Sequence, residues 1–210
     1  IIIRKLTEIG RVAKVSDLAD KLFDGTSNQR QRAQVAFVAE LAPNLTVIDE
    51  NDNYFHSIGI REYGDDKKIR SEVDEIVAII RKQGEPLTIE QLHEKLSYDH
   101  PSYIKALAST SKLLAHLKDN WGLVKWPTVN PKNIRDKIYV VLAEFGSPMH
   151  FSDISKCIKD SSFKRKDVTT QAIHNELIKD KRFVLIGRGI YALDSWGFGS
   201  GTVADIIADV

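Results

Sequence analysis

The feature that most constrains this chain is an internal repeat. Gly10 is followed five residues later by Val15, eight later by Leu18 and twelve later by Leu22. The same offsets from Gly84 reach Ile89, Leu92 and Leu96, and from Gly146 they reach Phe151, Ile154 and Ile158. A pattern recurring three times in 210 residues makes small consecutive units the expected architecture.

Each copy predicts the same order of elements. Ile76, Val77 and Ile80 before Gly84, and Ile138, Val141 and Leu142 before Gly146, have helical spacing, with glycine as the stop. Pro86 and Pro148 then open a short extended stretch, because proline fixes φ and cannot continue a helix. A second helix is expected from Ser16, Thr88 or Ser152 as N-cap. A polar break leads to a third helix, over 29–41, 103–117 and 167–179. Hairpins are expected from Leu45–Ile48 with residues 54–58, and from residues 183–186 with 190–193 around Gly187-Arg188-Gly189. In the second copy the stretch from Trp121 to Trp126 leaves room for a single strand before Pro127.

Helix, strand, helix, helix and hairpin is the order of a winged helix. The expected class is therefore mainly α with small β-hairpins (α+β), as three tandem winged-helix modules. The boundaries are 1–62 for a degenerate first module, 68–128 for a second with a short wing, 131–195 for the third, and 196–210 for a C-terminal extension. Units of about 60 residues are near the lower limit for an independent core, so the modules are expected to pack on one another. Residues 63–68 read as a polar linker and Pro127 to Pro131 as a stiff connector. The absent initiator Met leads us to expect an upstream segment.

Charge separates the copies. Residues 1–66 hold 8 Lys/Arg against 11 Asp/Glu, residues 67–130 hold 10 against 8, and residues 131–193 hold 12 against 7. A basic final unit favours a polyanionic partner, because Lys and Arg release counterions from phosphate. The plain alternative is a solvated surface. No run of 18 apolar residues is present, which excludes a membrane helix. Cys157 is the only cysteine, so no intramolecular disulfide forms and a reducing cytoplasm is expected.

At Phe183-Val184-Leu185-Ile186-Gly187-Arg188-Gly189-Ile190-Tyr191-Ala192-Leu193 the sequence resembles the HARE-type helix-turn-helix domain. Gly146-x-Pro148-Met149-His150-Phe151 and Gln171-Ala172-Ile173-His174-Asn175-Glu176-Leu177 match the same pattern in the same order, so the resemblance covers about 132–195. That family is a winged helix found in bacterial sigma-factor-like proteins, in the delta subunit of bacterial RNA polymerase and in eukaryotic chromatin proteins. Trp121-Gly122-Leu123 through Trp126-Pro127 and Asn130-Pro131 resembles the C-terminal part of the sigma-factor-like proteins, although no sigma-type promoter-recognition motif is present. The resemblance implies a transcription-associated DNA-binding protein, nucleoid-associated in the bacterial cytoplasm. Its alternative is a module that docks on RNA polymerase core without touching DNA.

In a winged helix the third helix enters the major groove and the wing reaches the backbone. Gln171, His174 and Asn175 share one face, and Gln and Asn can bond adenine bidentately. Thr170 joins them as a further candidate on the same helix. Bracing of the hairpin by His174 and Asn175 stands as the structural alternative. Lys164, Arg165 and Lys166 precede the helix, and Arg188 sits at the wing tip; together they read as a phosphate clamp or as a solvated loop. Trp121, Trp126 and Trp196 read as seals at module edges. Cys157, beside Ile158, is expected to be half-buried and inert. Six scattered histidines show no metal-ligand spacing, and neither a nucleotide loop nor a nucleophile elbow occurs. The chain is therefore read as a non-enzyme without cofactor or small-molecule substrate, whose partner is duplex DNA.

Overall fold

A computed structural model describes residues 1–163 and 165–199. The chain forms two compact units, Ile1–Val129 and Asn130–Val210. Among the described residues the architecture is α+β, with nine α-helices and three antiparallel three-stranded sheets.

The first unit contains two copies of the repeat. Its first half runs α1 (Ile2–Ile9), β1 (Val12–Lys14), α2 (Val15–Leu22), α3 (Gln29–Leu41), β2 (Leu45–Ile48) and β3 (Ser57–Ile60). A 3-10 turn, Arg61–Tyr63, leads to the second half: α4 (Asp66–Gln83), β4 (Leu87–Thr88), α5 (Ile89–Lys95), α6 (Pro101–Thr110), β5 (Leu114–Leu117) and β6 (Asn120–Leu123). The short strand after the first helix pairs with the last strand of each hairpin, giving orders β1-β3-β2 and β4-β6-β5.

The first half has a cluster of its own around Leu6, Leu18, Val35 and Ile58, and a second cluster is shared by the two halves. Val12, Ile48 and Tyr54 of the first half cluster with Ile76, Ile80, Leu92, Ile104, Leu107 and Trp121 of the second. Each such aliphatic, fully buried, contributes about 1.5–3 kcal/mol against exposure. Gly10 shows how close the halves come. Its φ is 134°, and a Cβ built there would meet the Ser102 carbonyl oxygen at 2.4 Å and Ala106 Cβ at 2.8 Å. Gly84 occupies the same place in the repeat for a different reason: it closes α4 in the left-handed region, at φ 78°, with open space around it.

Four local expectations need correcting. The second copy has a full hairpin rather than a short wing: Leu114 to Leu117 pair with Leu123 to Asn120. The helix expected to reach residue 117 stops at Thr110, because the chain crosses there to the first half. Phe55 N–H donates to the Thr110 carbonyl at 2.8 Å and Lys112 N–H to that of Asn53 at 2.8 Å. The same crossing holds Tyr54 in a bridge to Ser111, so β3 begins at Ser57 rather than at residue 54. The expected polar linker, 63–68, already runs into α4 at Asp66, and the Asp65 carboxylate caps that helix by accepting from Lys68 N–H.

The second unit runs α7 (Ile134–Phe145), β7 (Met149–His150), α8 (Phe151–Asp160), α9 (Thr170–Lys179), β8 (Phe183–Gly187) and β9 (Ile190–Leu193), then a 3-10 turn, Asp194–Trp196. Its sheet order is β7-β9-β8. Ile138, Leu142, Ile154, Ile158, Ile173 and Leu177 bury one stripe from each of its helices. The α8 cap is His150, whose Nδ1 accepts from Ser152 N–H, so Ser152 lies inside the helix that it was expected to cap. The same helix turns Ile154, Ser155 and Ile158 inward and leaves Cys157 exposed, not half-buried. The segment after Gly199, including Thr202 and residues 203–210, lies outside the described residues.

Candidate nucleic-acid interface

The hairpin of the second unit turns at Gly187-Arg188-Gly189, and only Gly189 takes a positive φ, 69°. That turn is fastened to the start of α8. Phe151 N–H donates to the Gly189 carbonyl at 2.9 Å, and a Cβ on Gly189 would lie 2.6 Å from His150 Nε2. Arg188, beside it, is exposed and forms no ion pair among the described residues.

Thr169 caps α9 by accepting from Ala172 N–H at 3.1 Å. Ile173 and Leu177 then point into the core, as their i,i+4 spacing predicts. Gln171 and Asn175 are exposed one turn apart, and Gln171 Nε2 donates to Asn175 Oδ1 at 3.1 Å. This pairing pre-orients two amides while leaving one Gln171 acceptor and the Asn175 donors outward. Ile178, 64% exposed, continues the same face.

The other helix candidates turn away from that face. The His174 ring lies between Phe151 at 4.9 Å and Tyr191 at 6.1 Å, which ties α9 to α8 and to β9. The Thr170 hydroxyl meets that of Ser155 at 3.1 Å. Both contacts brace the unit, and the outward pair is Gln171 with Asn175.

The cations before α9 are placed by the preceding helices. Arg165 has φ 54°, and its carbonyl accepts from Lys137 Nζ at 2.8 Å. Lys166 Nζ donates to the Ser161 carbonyl at 3.1 Å, at the C-terminal end of α8. A cation at a helix C-terminus is favoured by the dipole, which accounts for Lys166 at this place. Lys164 lies outside the described residues. The Arg165 side chain is exposed and forms no ion pair among the described residues.

No protein-family model matches this chain, and no curated protein matches it. The reading of the surface therefore rests on its own chemistry.

Three lysines escaped the sequence reading. Lys156 and Lys159 of α8 are both exposed and three residues apart, a spacing that could have flagged them as one cationic strip. Lys137 is 3% exposed, a buried ammonium that no charge count distinguishes from a surface one. Arg135 and Arg182, by contrast, are neutralised by Glu176 at 3.2 Å and by Asp180 at 2.7 Å and Asp136 at 3.3 Å. Among the described residues no His/Cys/Asp/Glu group could hold a metal ion, and no helix is long and apolar enough to cross a membrane.

Proposed function

We propose that the second unit is a winged-helix DNA-binding module of a transcription-associated, nucleoid-associated protein, and that each half of the first unit is a winged helix too. The supporting observation is the outward amide pair Gln171–Asn175 on a capped helix, in a stretch that carries 12 Lys/Arg against 7 Asp/Glu. Amides reach base edges, whereas the exposed guanidinium groups of Arg165 and Arg188 contact phosphates and set the register. Thr170 and His174 serve this surface indirectly, by fixing the helix that presents it. No step of this binding calls for a cofactor or for catalysis.

The test is fluorescence anisotropy with random-sequence duplex DNA across about 50–200 mM salt. The variant R165E/K166E/R188E is expected to weaken binding strongly and to reduce the salt slope by roughly 2–3. Affinity that ignores both salt and the triple variant would remove DNA as the partner.

A second reading is supported by Ile178 beside the amide pair and by Leu185 and Ile190, exposed on the hairpin. Apolar groups on such a surface suit protein docking, with RNA polymerase core as the partner. Capture of core polymerase by wild type but not by I178D, in the absence of DNA, selects this reading.

A further inference from the structure

In the first unit a cavity of about 430 Å³ is lined by Arg11, Glu62, Tyr63, Lys68, Glu72 and Ser97, together with Tyr98, Asp99 and Tyr103. Its size lies in the range of small-molecule sites. Three phenol rings form the wall, and Tyr98 and Tyr103 meet edge to face at 5.8 Å. The wall already holds one cation. The Arg11 guanidinium lies 4.1 Å from the Tyr63 ring centroid and 5.8 Å from that of Tyr103. Arg11 is kept there by its backbone, at φ 75°, with its N–H donating to the Leu6 carbonyl.

The remaining charges are not balanced. Lys68 is occupied: its Nζ donates to the Tyr63 carbonyl at 2.8 Å and lies 3.8 Å from Glu72. Glu72 is occupied too, since it also accepts from the Tyr103 hydroxyl. Glu62 and Asp99 have no hydrogen bond or ion pair among the described residues. Arg11 has no ion pair among the described residues either, so the lining carries two cations against three carboxylates, and this net negative charge beside aromatic faces favours cations over anions.

We propose that this cavity binds an organic cation, a guanidinium or primary ammonium on an unbranched alkyl chain, between the tyrosine wall and the carboxylates of Glu62 and Asp99. The alkyl chain lies along the rings, and the charged head reaches the carboxylates. A free polyamine and the side chain of a basic peptide share this chemistry. The site is built from residues of the first unit alone.

The test is an amide NMR titration of the full chain at low salt. The probes are spermidine, blocked arginine amide and blocked lysine amide, with inorganic phosphate as the anionic control. Shifts confined to the signals of residues 62–63, 68 and 97–99 are expected with at least one cation, and spermidine against the blocked amino acids distinguishes the two sources. The variant E62Q/D99N, altered at exposed positions, is expected to bind about tenfold more weakly while melting like wild type. Y98L, which removes a wall, is expected to lose roughly fivefold. No shift with any cation up to about 10 mM, undiminished binding by E62Q/D99N, or preferential binding of phosphate each overturns the proposal.

Discussion

The Lys137 ammonium donates to the Arg165 carbonyl at 2.8 Å, so a buried charge on α7 holds the loop that presents an exposed one. Burial, and then the nearby Arg165 charge, push the Lys137 pKa below its ordinary 10.5. The unfolded chain therefore binds that proton more tightly, and stability rises as pH climbs from the lowered value towards 10.5.

Replacing this lysine should separate loop order from global stability. In K137M the lost charged hydrogen bond, about 1.5–3 kcal/mol, is offset by relief of desolvation. Thermal stability is expected to stay within about 1 kcal/mol of wild type. Hydrogen exchange at the amides of residues 165–168 should nonetheless speed up about tenfold, the equivalent of about 1.4 kcal/mol. Unchanged exchange there would show that the loop holds itself.

Arg182 is the hub of a second device. It reaches Asp180 at 2.7 Å and Asp136 at 3.3 Å, fastening the end of α9 and the start of β8 to α7. The Arg182 hydrogen bonds hold the Asp180 carboxyl below its ordinary 3.8. A lowered acid pKa gives stability that is present above 3.8 and is lost as pH falls through the folded-state value. D180N should cost about 1 kcal/mol at neutral pH, a figure discounted because Arg182 is part-exposed. It should also flatten the acid limb of the stability curve below pH 3.8. Parallel acid limbs for wild type and variant would refute the coupling.

On α9 neighbouring residues should give opposite phenotypes. H174A removes a ring held by Phe151 and Tyr191, each aromatic contact adding about 0.5–1.5 kcal/mol beyond area, so the melting temperature should fall. N175A removes an exposed amide and should leave melting within about 0.5 kcal/mol, yet weaken binding to any preferred DNA sequence by about 1–3 kcal/mol. Calorimetry and anisotropy on both variants decide the matter. A destabilised N175A together with a silent H174A would reverse the assignment.

The legible parts of the fold were those written locally. Gly146 ends its helix in the left-handed region, and Thr88 and Gln91 form a reciprocal capping box, both short-range chemistry. The hairpin of the second copy was missed because its turn carries Lys118 at φ 52°, where glycine or asparagine would have announced it. Tyr54 was misplaced because its partner, Ser111, is remote in sequence. At the candidate site, helical spacing placed Gln171 and Asn175 outward correctly. The same reasoning put His174 beside them, since periodicity does not reveal that Phe151 and Tyr191 wait on its flank.

Gly10 and Gly84 share a position in the repeat but should respond very differently to the same mutation. G84A places a Cβ in open space, so its cost is left-handed backbone strain alone, about 1–2 kcal/mol. In G10A the methyl would stand 2.4 Å from the Ser102 carbonyl oxygen, a backbone atom that cannot swing aside, on a residue already at φ 134°. Its relief requires α1 or α6 to shift within a packed core, so the loss should exceed that of G84A by about 2 kcal/mol or more. Thermal and denaturant unfolding of the two variants measure the difference. Equal losses would mean that the two halves of the first unit do not approach each other at Gly10 as described, and the shared core would have to be redrawn.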